Sequence, residues 1–255
     1  MLEWKASAAY LYILHLDRYG LAWEYLRRNE EYREHWQHQA QCPDPAMRWG
    51  CATFEHPDRD ARDACPQWVI ESPDRIHLIP ASQEHPSDHP FSLWMLRGSR
   101  SLMHLGSHLT LHIQSSFLNT YVCVDPTVEE GKPYAFMVRA DQWCRERLRA
   151  TSVAIEQFFH SHTARSASHV YPLNRTALTH ARTLQALDGV YAGASQRDIA
   201  AALFGDHRVQ SQWTSDGELR AQVRYLIRRG KEWMSGGYRS LLHPVVNRSQ
   251  GEKSP

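Results

Sequence analysis

Apolar residues recur at three- and four-residue steps through much of residues 176–234, which is the spacing of a buried helix face. The pattern predicts a first helix over residues 176–191, followed by Gly193, a residue type that commonly ends helices. The apolar face of this first helix consists of Leu178, Ala181, Leu184, Leu187 and Tyr191. So short a stretch with this periodicity can fold only into a compact group of helices.

Two further helices carry start and stop signals. Ser195 and Asp198 have the spacing of a capping box, and Gly205 is placed to end the helix that they open. Ser215 and Glu218 repeat that spacing and predict a third helix that runs to about residue 234. A short helix that ends on glycine beside another helix is typical of helix-turn-helix units. The connection over residues 206–215 is longer than the usual tight turn of such units.

The predicted third helix has a second, basic face. At about 100° per residue, four cationic side chains form one stripe beside the apolar face, and Arg229 falls on a separate side. The four are Arg220, Arg224, Arg228 and Lys231. A planar guanidinium group can bind phosphate oxygens, or O6 and N7 of guanine, through two parallel hydrogen bonds. The stripe therefore predicts contacts to DNA.

Five more residues are candidates for the same surface. Gly236 and Gly237 would let the backbone approach a phosphate, and the two residues after them offer further donors. The start of the second predicted helix would approach the same ligand. The additional candidates are Ser195, Gln196, Arg197, Tyr238 and Arg239.

Charge is distributed unevenly along the chain. Residues 175–255 contain 12 Lys and Arg and 7 Asp and Glu, a net charge of +5, whereas residues 1–174 contain 17 and 21, a net charge of −4. A basic block beside an acidic one agrees with binding to a polyanion.

The rest of the chain combines helix and strand patterns. The N-terminal apolar residues predict two short helices that meet at Asn29, a good capping residue. Residues 42–74 have no period and are expected to pack through Trp49, Phe54 and Trp68. Asp141 is placed to cap a long helix. Strands are predicted at residues 75–79, 93–97, 109–113, 121–124 and 134–138.

These patterns predict an α+β fold with N-terminal helices, a small, mainly antiparallel central sheet and a C-terminal helical domain of helix-turn-helix type. The predicted division is an N-terminal helical segment at 1–40, a central α+β domain at 41–162, a C-terminal helical DNA-binding domain at 174–248 and a flexible tail at 249–255. No stretch is apolar enough to cross a membrane, and no secretory signal is recognisable. Five irregularly spaced cysteines suit a reducing compartment, so we expect a cytoplasmic protein.

Both ends of the chain resemble a known family. Residues 23–33 read WEYLRRNEEYR, and residues 186–189, 195–200, 203–205 and 219–239 hold ALDG, SQRDIA, LFG and a stretch that runs from LR to GGYR. Together and in this order they resemble the RovC-like bacterial transcription activators, which include regulators of type VI secretion genes and activators of integrative and conjugative elements. The resemblance implies double-stranded promoter DNA as ligand, no cofactor, and assembly into a homo-oligomer, with a hexamer and contacts to RNA polymerase left open.

Three other interpretations were weighed. A metal site could draw on six residues, but their spacing matches no zinc motif, so no metal is predicted. The six are His35, His38, Cys42, Cys51, His56 and Cys65. No nucleotide-binding loop or hydrolase motif occurs, so no catalytic residue and no enzyme are predicted. The stronger alternative is a non-enzymatic adaptor whose basic helix contacts a protein partner or another subunit.

Overall fold

A computed structural model describes residues 4–39, 46–69, 75–83, 85–93, 99–104, 109–114, 119–159 and 175–243. The chain has an α+β fold, as predicted, with helices at both ends and a sheet between them. The predicted flexible tail at 249–255 and the connection before residue 175 lie outside the described residues. No helix among those described is long and apolar enough to span a bilayer.

The N-terminal part begins with a 3-10 segment, Ser7–His15, followed by α1 (Arg18–Leu26) and α2 (Glu30–Gln37). The capping role predicted for Asn29 is confirmed, because its side chain accepts a hydrogen bond from the backbone N–H of Tyr32 at 3.0 Å. Residues 46–69 form turns and one short 3-10 segment, and Trp49 and Trp68 are buried, as the aperiodic composition suggested.

The central sheet consists of five described strands, β1 (Arg75–Pro80), β2 (Ser99–His104), β3 (Leu109–Gln114), β4 (Asn119–Val124) and β5 (Tyr134–Met137). Their order in the sheet is β2-β3-β4-β1-β5. Among these strands, β1 and β4 are the only neighbours that run parallel, so the expectation of a mainly antiparallel sheet is confirmed. The strand predicted at 93–97 lies almost wholly outside the described residues, and β2 was not predicted. One face packs on Ala154 of the helix that follows the sheet. This helix is α3 (Cys144–Phe159).

The C-terminal helices confirm the periodicity and correct two details. A helix, α6 (Asp206–Gln212), occupies most of the predicted connection at 206–215, and its buried residue is Val209. The capping box predicted at Ser215 and Glu218 is wrong, because Gly217 is the N-cap and no side chain caps the helix. The elements are α4 (Arg175–Tyr191), α5 (Gln196–Phe204), α6 (Asp206–Gln212), α7 (Glu218–Glu232), a five-residue π-helical turn (Trp233–Gly237) and α8 (Arg239–Leu242).

One hydrophobic core joins the two ends of the chain. It contains Trp23 and Tyr25 of α1, Leu184 of α4, and both Tyr238 and Leu242 near the C-terminal end of the described residues. Trp49 and Trp68, which the predicted division assigns to the central domain, belong to the same core. The packing therefore crosses the predicted boundaries, since periodicity identifies a buried face but not the element that covers it.

A buried ion-pair network connects α1 to α4 within this core. The Arg28 guanidinium donates to Asp188 through Nε at 2.6 Å and Nη2 at 2.8 Å, and through Nη1 to Glu24 at 2.5 Å. Tyr10 donates its hydroxyl to Asp188 at 2.7 Å. Burial alone would raise the pKa of both carboxyl groups, but the guanidinium holds each pKa below its ordinary value. The network thus fixes the N-terminal segment to the C-terminal helices.

His180 of α4 makes the stability of this core sensitive to mild acid. Burial, and then the nearby Arg229 cation, lower the pKa of His180 to about 4, and its Nδ1 lies 2.8 Å from the Tyr25 hydroxyl. The unfolded chain binds a proton near pH 6.5 but the folded chain does not, so stability is complete above about pH 6.5 and falls towards pH 4. We expect a loss of up to about 3 kcal/mol over this interval in urea unfolding, and a flatter profile for His180→Gln. Equal slopes for both proteins would contradict this prediction.

Candidate nucleic-acid interface

Helix α7 has a buried face and an exposed basic face. Leu219, Val223, Leu226 and Gly230 are buried against α4 and α5. A Cβ on Gly230 would lie 3.3 Å from the Thr183 side chain, so glycine lets α7 approach α4 closely. The helix is therefore held rigidly, with its opposite face towards solvent.

Three cations of the predicted stripe are exposed on that opposite face. Arg224, Arg228 and Lys231 follow one another at four- and three-residue steps, which spaces the first and the last by about 10 Å along the helix axis. Arg224 and Lys231 have no hydrogen-bond or ion-pair partner within the part of the chain that the structure describes. Arg228 forms a weak surface ion pair with Glu232, at 3.6 Å with both side chains exposed, and its guanidinium lies 6.0 Å from the centre of the Tyr225 ring. The three cationic groups are available for a ligand.

A shallow groove of about 310 Å³ places the start of α5 beside these cations. It is lined by Gln196, Ile227 and Glu232 together with the three cations of α7. The capping box predicted at Ser195 is confirmed: its Oγ accepts from the Asp198 backbone N–H at 3.2 Å, and Asp198 accepts from the Ser195 N–H at 3.1 Å. This box fixes the first turn of α5, so Gln196 and the exposed Arg197 have defined positions.

Two arginines of the third predicted helix have other partners. Arg220 is half-buried and donates through Nη1 to the Ser215 carbonyl at 3.1 Å, which holds the loop before α7. Arg229 donates to the Tyr225 hydroxyl at 2.6 Å and packs against the Trp233 ring. Arg220 is thus at the edge of the stripe, and Arg229 is on the separate side that the helical wheel predicted.

The structure places Tyr238 away from the basic surface. Its side chain is fully buried in the core, where its hydroxyl donates to the Trp49 carbonyl at 3.0 Å. The same burial raises the pKa of Tyr238. Arg239 is exposed but donates to the Arg48 carbonyl. In this conformation the Tyr238 hydroxyl has no access to DNA, which corrects its assignment to the surface, and Gly236, with φ of 129°, serves the turn before α8.

One group of cations was missed by the sequence analysis. Arg182 of α4 and Arg208 of α6 lie on the Phe204 ring at 5.3 and 5.4 Å. Arg208 is exposed and also donates to Gln212 at 3.0 Å. In the sequence, the only local sign of this group was Arg208, the basic residue before Val209. One buried apolar residue is too little to reveal the helix that carries Arg208.

Among the described residues, no group of three or more His, Cys, Asp or Glu is arranged to hold a metal ion.

Comparisons with known proteins agree with a DNA-binding regulator. Residues 137–243, which include α4 to α8, match a family model described as the DNA-binding domain of a transcription factor of the type VI secretion system (RovC). Residues 3–68, which hold α1, α2 and the turns after them, match a model described as a proteobacterial transcriptional regulator-like domain. No curated protein matches the chain. The two matches together indicate a transcriptional regulator with a DNA-binding domain.

Proposed function

We propose that this regulator activates transcription by binding promoter DNA through the exposed face of α7 and the first turn of α5. The observation that supports this most strongly is the availability of Arg224, Arg228 and Lys231 beside Gln196. Arg224 and Lys231 have no ion pair among the described residues that must break on binding a phosphate, and the exposed pair of Arg228 with Glu232 is weak. The Asp198 carboxylate accepts hydrogen bonds within the capping box. The exposed Arg197 beside it is therefore a further donor at the rim of the groove.

The size of the face suits duplex DNA. Three cations over about 10 Å of helix match the major groove, which is about 12 Å wide and admits an α-helix. We assign the outer cations to phosphates, which set the position of the protein, and Gln196 and Arg228 to base edges, which a side-chain amide or a guanidinium can read. The α5–α6 pair, which turns on Gly205, would lie against the adjacent backbone.

The targets and the assembly extend this proposal. The family description names type VI secretion, so we propose genes of that system as targets, with genes of mobile elements as the second class. We propose that the protein acts in the cytoplasm. RNA polymerase is a candidate partner there. We further propose a homo-oligomer, for which a hexamer is the first state to test. Several α7 faces on neighbouring half-sites would raise the effective concentration of each weak contact.

Salt dependence tests the nucleic-acid part. Fluorescence anisotropy of a labelled duplex from upstream of a type VI secretion operon is expected to give an affinity that falls steeply with salt, with a log–log slope of about −0.9 per phosphate neutralised. Three cations per subunit predict a slope of about −2.7 for each engaged subunit. No binding of the duplex even at low salt would reject DNA binding and favour the adaptor alternative, and an affinity that does not change with salt would reject phosphate contacts by these cations.

Light scattering tests the assembly. We expect one defined homo-oligomer without DNA and a further mass increase of one duplex with it. A monomer in both conditions would reject the oligomer while leaving the DNA contact standing. Activation is tested separately by a reporter fused to the same upstream region, whose expression is expected to rise with the regulator present.

A further inference from the structure

The thiol of Cys65 and the imidazole of His112 are in contact where the turns of residues 46–69 pack on the sheet. The Cys65 Sγ lies 3.0 Å from Nδ1 of His112 on β3, although 47 residues separate them. The Gln67 side-chain amide donates to the same sulfur at 3.3 Å. Two nitrogen groups at this distance stabilise a sulfur anion, because each can direct an N–H towards it. Cys65 therefore lies in a site with the geometry of an activated nucleophile.

The imidazole is held in this position by the sheet. His112 is 7% exposed, and its ring stacks on Tyr121 of β4, with ring centroids 4.5 Å apart and planes 7° apart. Tyr121 in turn contacts Tyr19 of α1 edge-on. The stack fixes the plane of the ring, and the contact with the sulfur fixes which edge of the ring faces Cys65, so the pair is preorganised.

Charged groups of both signs lie around the pair. Glu55 accepts a hydrogen bond from the Cys65 backbone N–H at 3.0 Å, and its carboxylate forms an ion pair with Arg59 at 3.5 Å. On the sheet side, Asp17 and Arg75 are the charged groups that act on Tyr121. The His112 imidazole and the Gln67 amide are the side-chain groups that approach the sulfur directly in the contacts described above.

The other described cysteines have different surroundings. Cys51 and Cys123 are buried, and burial raises the pKa of the Cys51 thiol to about 12. Cys144 is half-buried like Cys65, but its sulfur has no hydrogen-bond partner in the described ranges. Cys144 is therefore a matched internal reference for the effect of His112.

We propose that Cys65 is a peroxide-reactive thiol whose nucleophile His112 generates. The proton of Sγ moves to His112 Nδ1, and the thiolate attacks one oxygen of a hydroperoxide, so that an S–O bond forms and the O–O bond breaks. The leaving alkoxide or hydroxide takes the proton back from the imidazolium. The sulfur is oxidised to sulfenic acid, the peroxide is reduced to an alcohol or water, and the imidazole is regenerated.

Oxidation at this position would act on the contact between two parts of the chain. A sulfenic oxygen needs space between Sγ and Nδ1, which are now in direct contact. The imidazole or residues 65–67 must move, and the stack that reaches Tyr19 loosens with them. The site thus couples an oxidant to the docking of the N-terminal segment on the sheet.

The test measures the reaction of each cysteine in the intact protein. Hydrogen peroxide is added in the presence of dimedone, which traps sulfenic acid, and each cysteine peptide is followed by mass spectrometry. We expect Cys65 to be trapped about tenfold faster than Cys144 at pH 7, because thiolate fraction controls the rate. Alkylation of Cys65 by iodoacetamide is expected to reach half its maximal rate below pH 7.5, whereas ordinary free thiols do so near 8.5.

Two outcomes overturn the proposal. In the unaltered protein, a rate for Cys65 no higher than that for Cys144, or an alkylation midpoint near pH 8.5, removes it without any variant. In a folded His112→Gln variant, the trapping rate of Cys65 is expected to fall to that of Cys144 and the midpoint to rise. Unchanged values in that variant would show that the imidazole plays no part.

Discussion

Replacing Arg224 and Arg228 together by Ala is expected to weaken binding to the promoter duplex by about 100-fold, since each charged contact contributes about 1.4 kcal/mol or more. Both side chains are exposed on α7 and neither supports the core, so the fold should remain intact. The log–log salt slope should also become less steep by about 0.9 for each phosphate that the variant no longer neutralises. Anisotropy at fixed salt and then over a salt series measures both effects.

The control removes the same charge elsewhere. Arg48 and Arg62 are exposed arginines of the N-terminal part, paired with Glu31 and Asp60 respectively. Their double replacement by Ala should change affinity less than about threefold, because neither side chain belongs to the proposed DNA-binding face and solvent screens surface charges. Equal losses in the two double variants would mean that net charge, and not the α7 face, governs binding.

Arg28→Ala is expected to lower the free energy of unfolding by about 3–5 kcal/mol, which is the usual effect of removing one partner from a buried ion pair. The substitution would leave the Asp188 carboxylate without a guanidinium partner and the Glu24 carboxylate with that of Arg27 alone. Glu24 is fully buried, so solvent cannot replace the missing partner. Urea unfolding followed by tryptophan fluorescence measures the decrease.

Two further variants separate this effect from the removal of charge. Arg48→Ala, which breaks an exposed pair with Glu31, should cost less than about 1 kcal/mol. Arg28→Lys should recover only part of the stability, because an ammonium group cannot form the two parallel bonds to Asp188. A cost for Arg28→Ala below about 1 kcal/mol would show that the network does not hold the two ends together.

Local signals in the sequence were sufficient for most of the helices. The capping box at Ser195 and the cap at Asn29 depend on residues three positions apart, and both are present in the structure. The basic face of α7 follows from its period alone. These features need no knowledge of the rest of the chain, because the interactions that create them are local.

Features that depend on distant contacts could not be predicted. Tyr238 was assigned to the DNA surface because it lies between glycine and arginine, but Trp49, 189 residues away, accepts its hydrogen bond. Helix α6 shows one buried residue, Val209, and so has no visible period. Cys65 and His112 meet only because β3 and the N-terminal turns pack together, and no spacing rule connects them.

The shared core also determines the order in which this chain can mature on the ribosome. Its sheet strands lie within residues 75–137 and pair as soon as that stretch has emerged, whereas Trp23 and Tyr25 must wait for Leu184 and Leu242. A nascent chain that stops before residue 181 therefore lacks the side chains of α4 and α8 that complete this core. We expect prematurely ended translation products of this regulator to be substrates for chaperones and proteases.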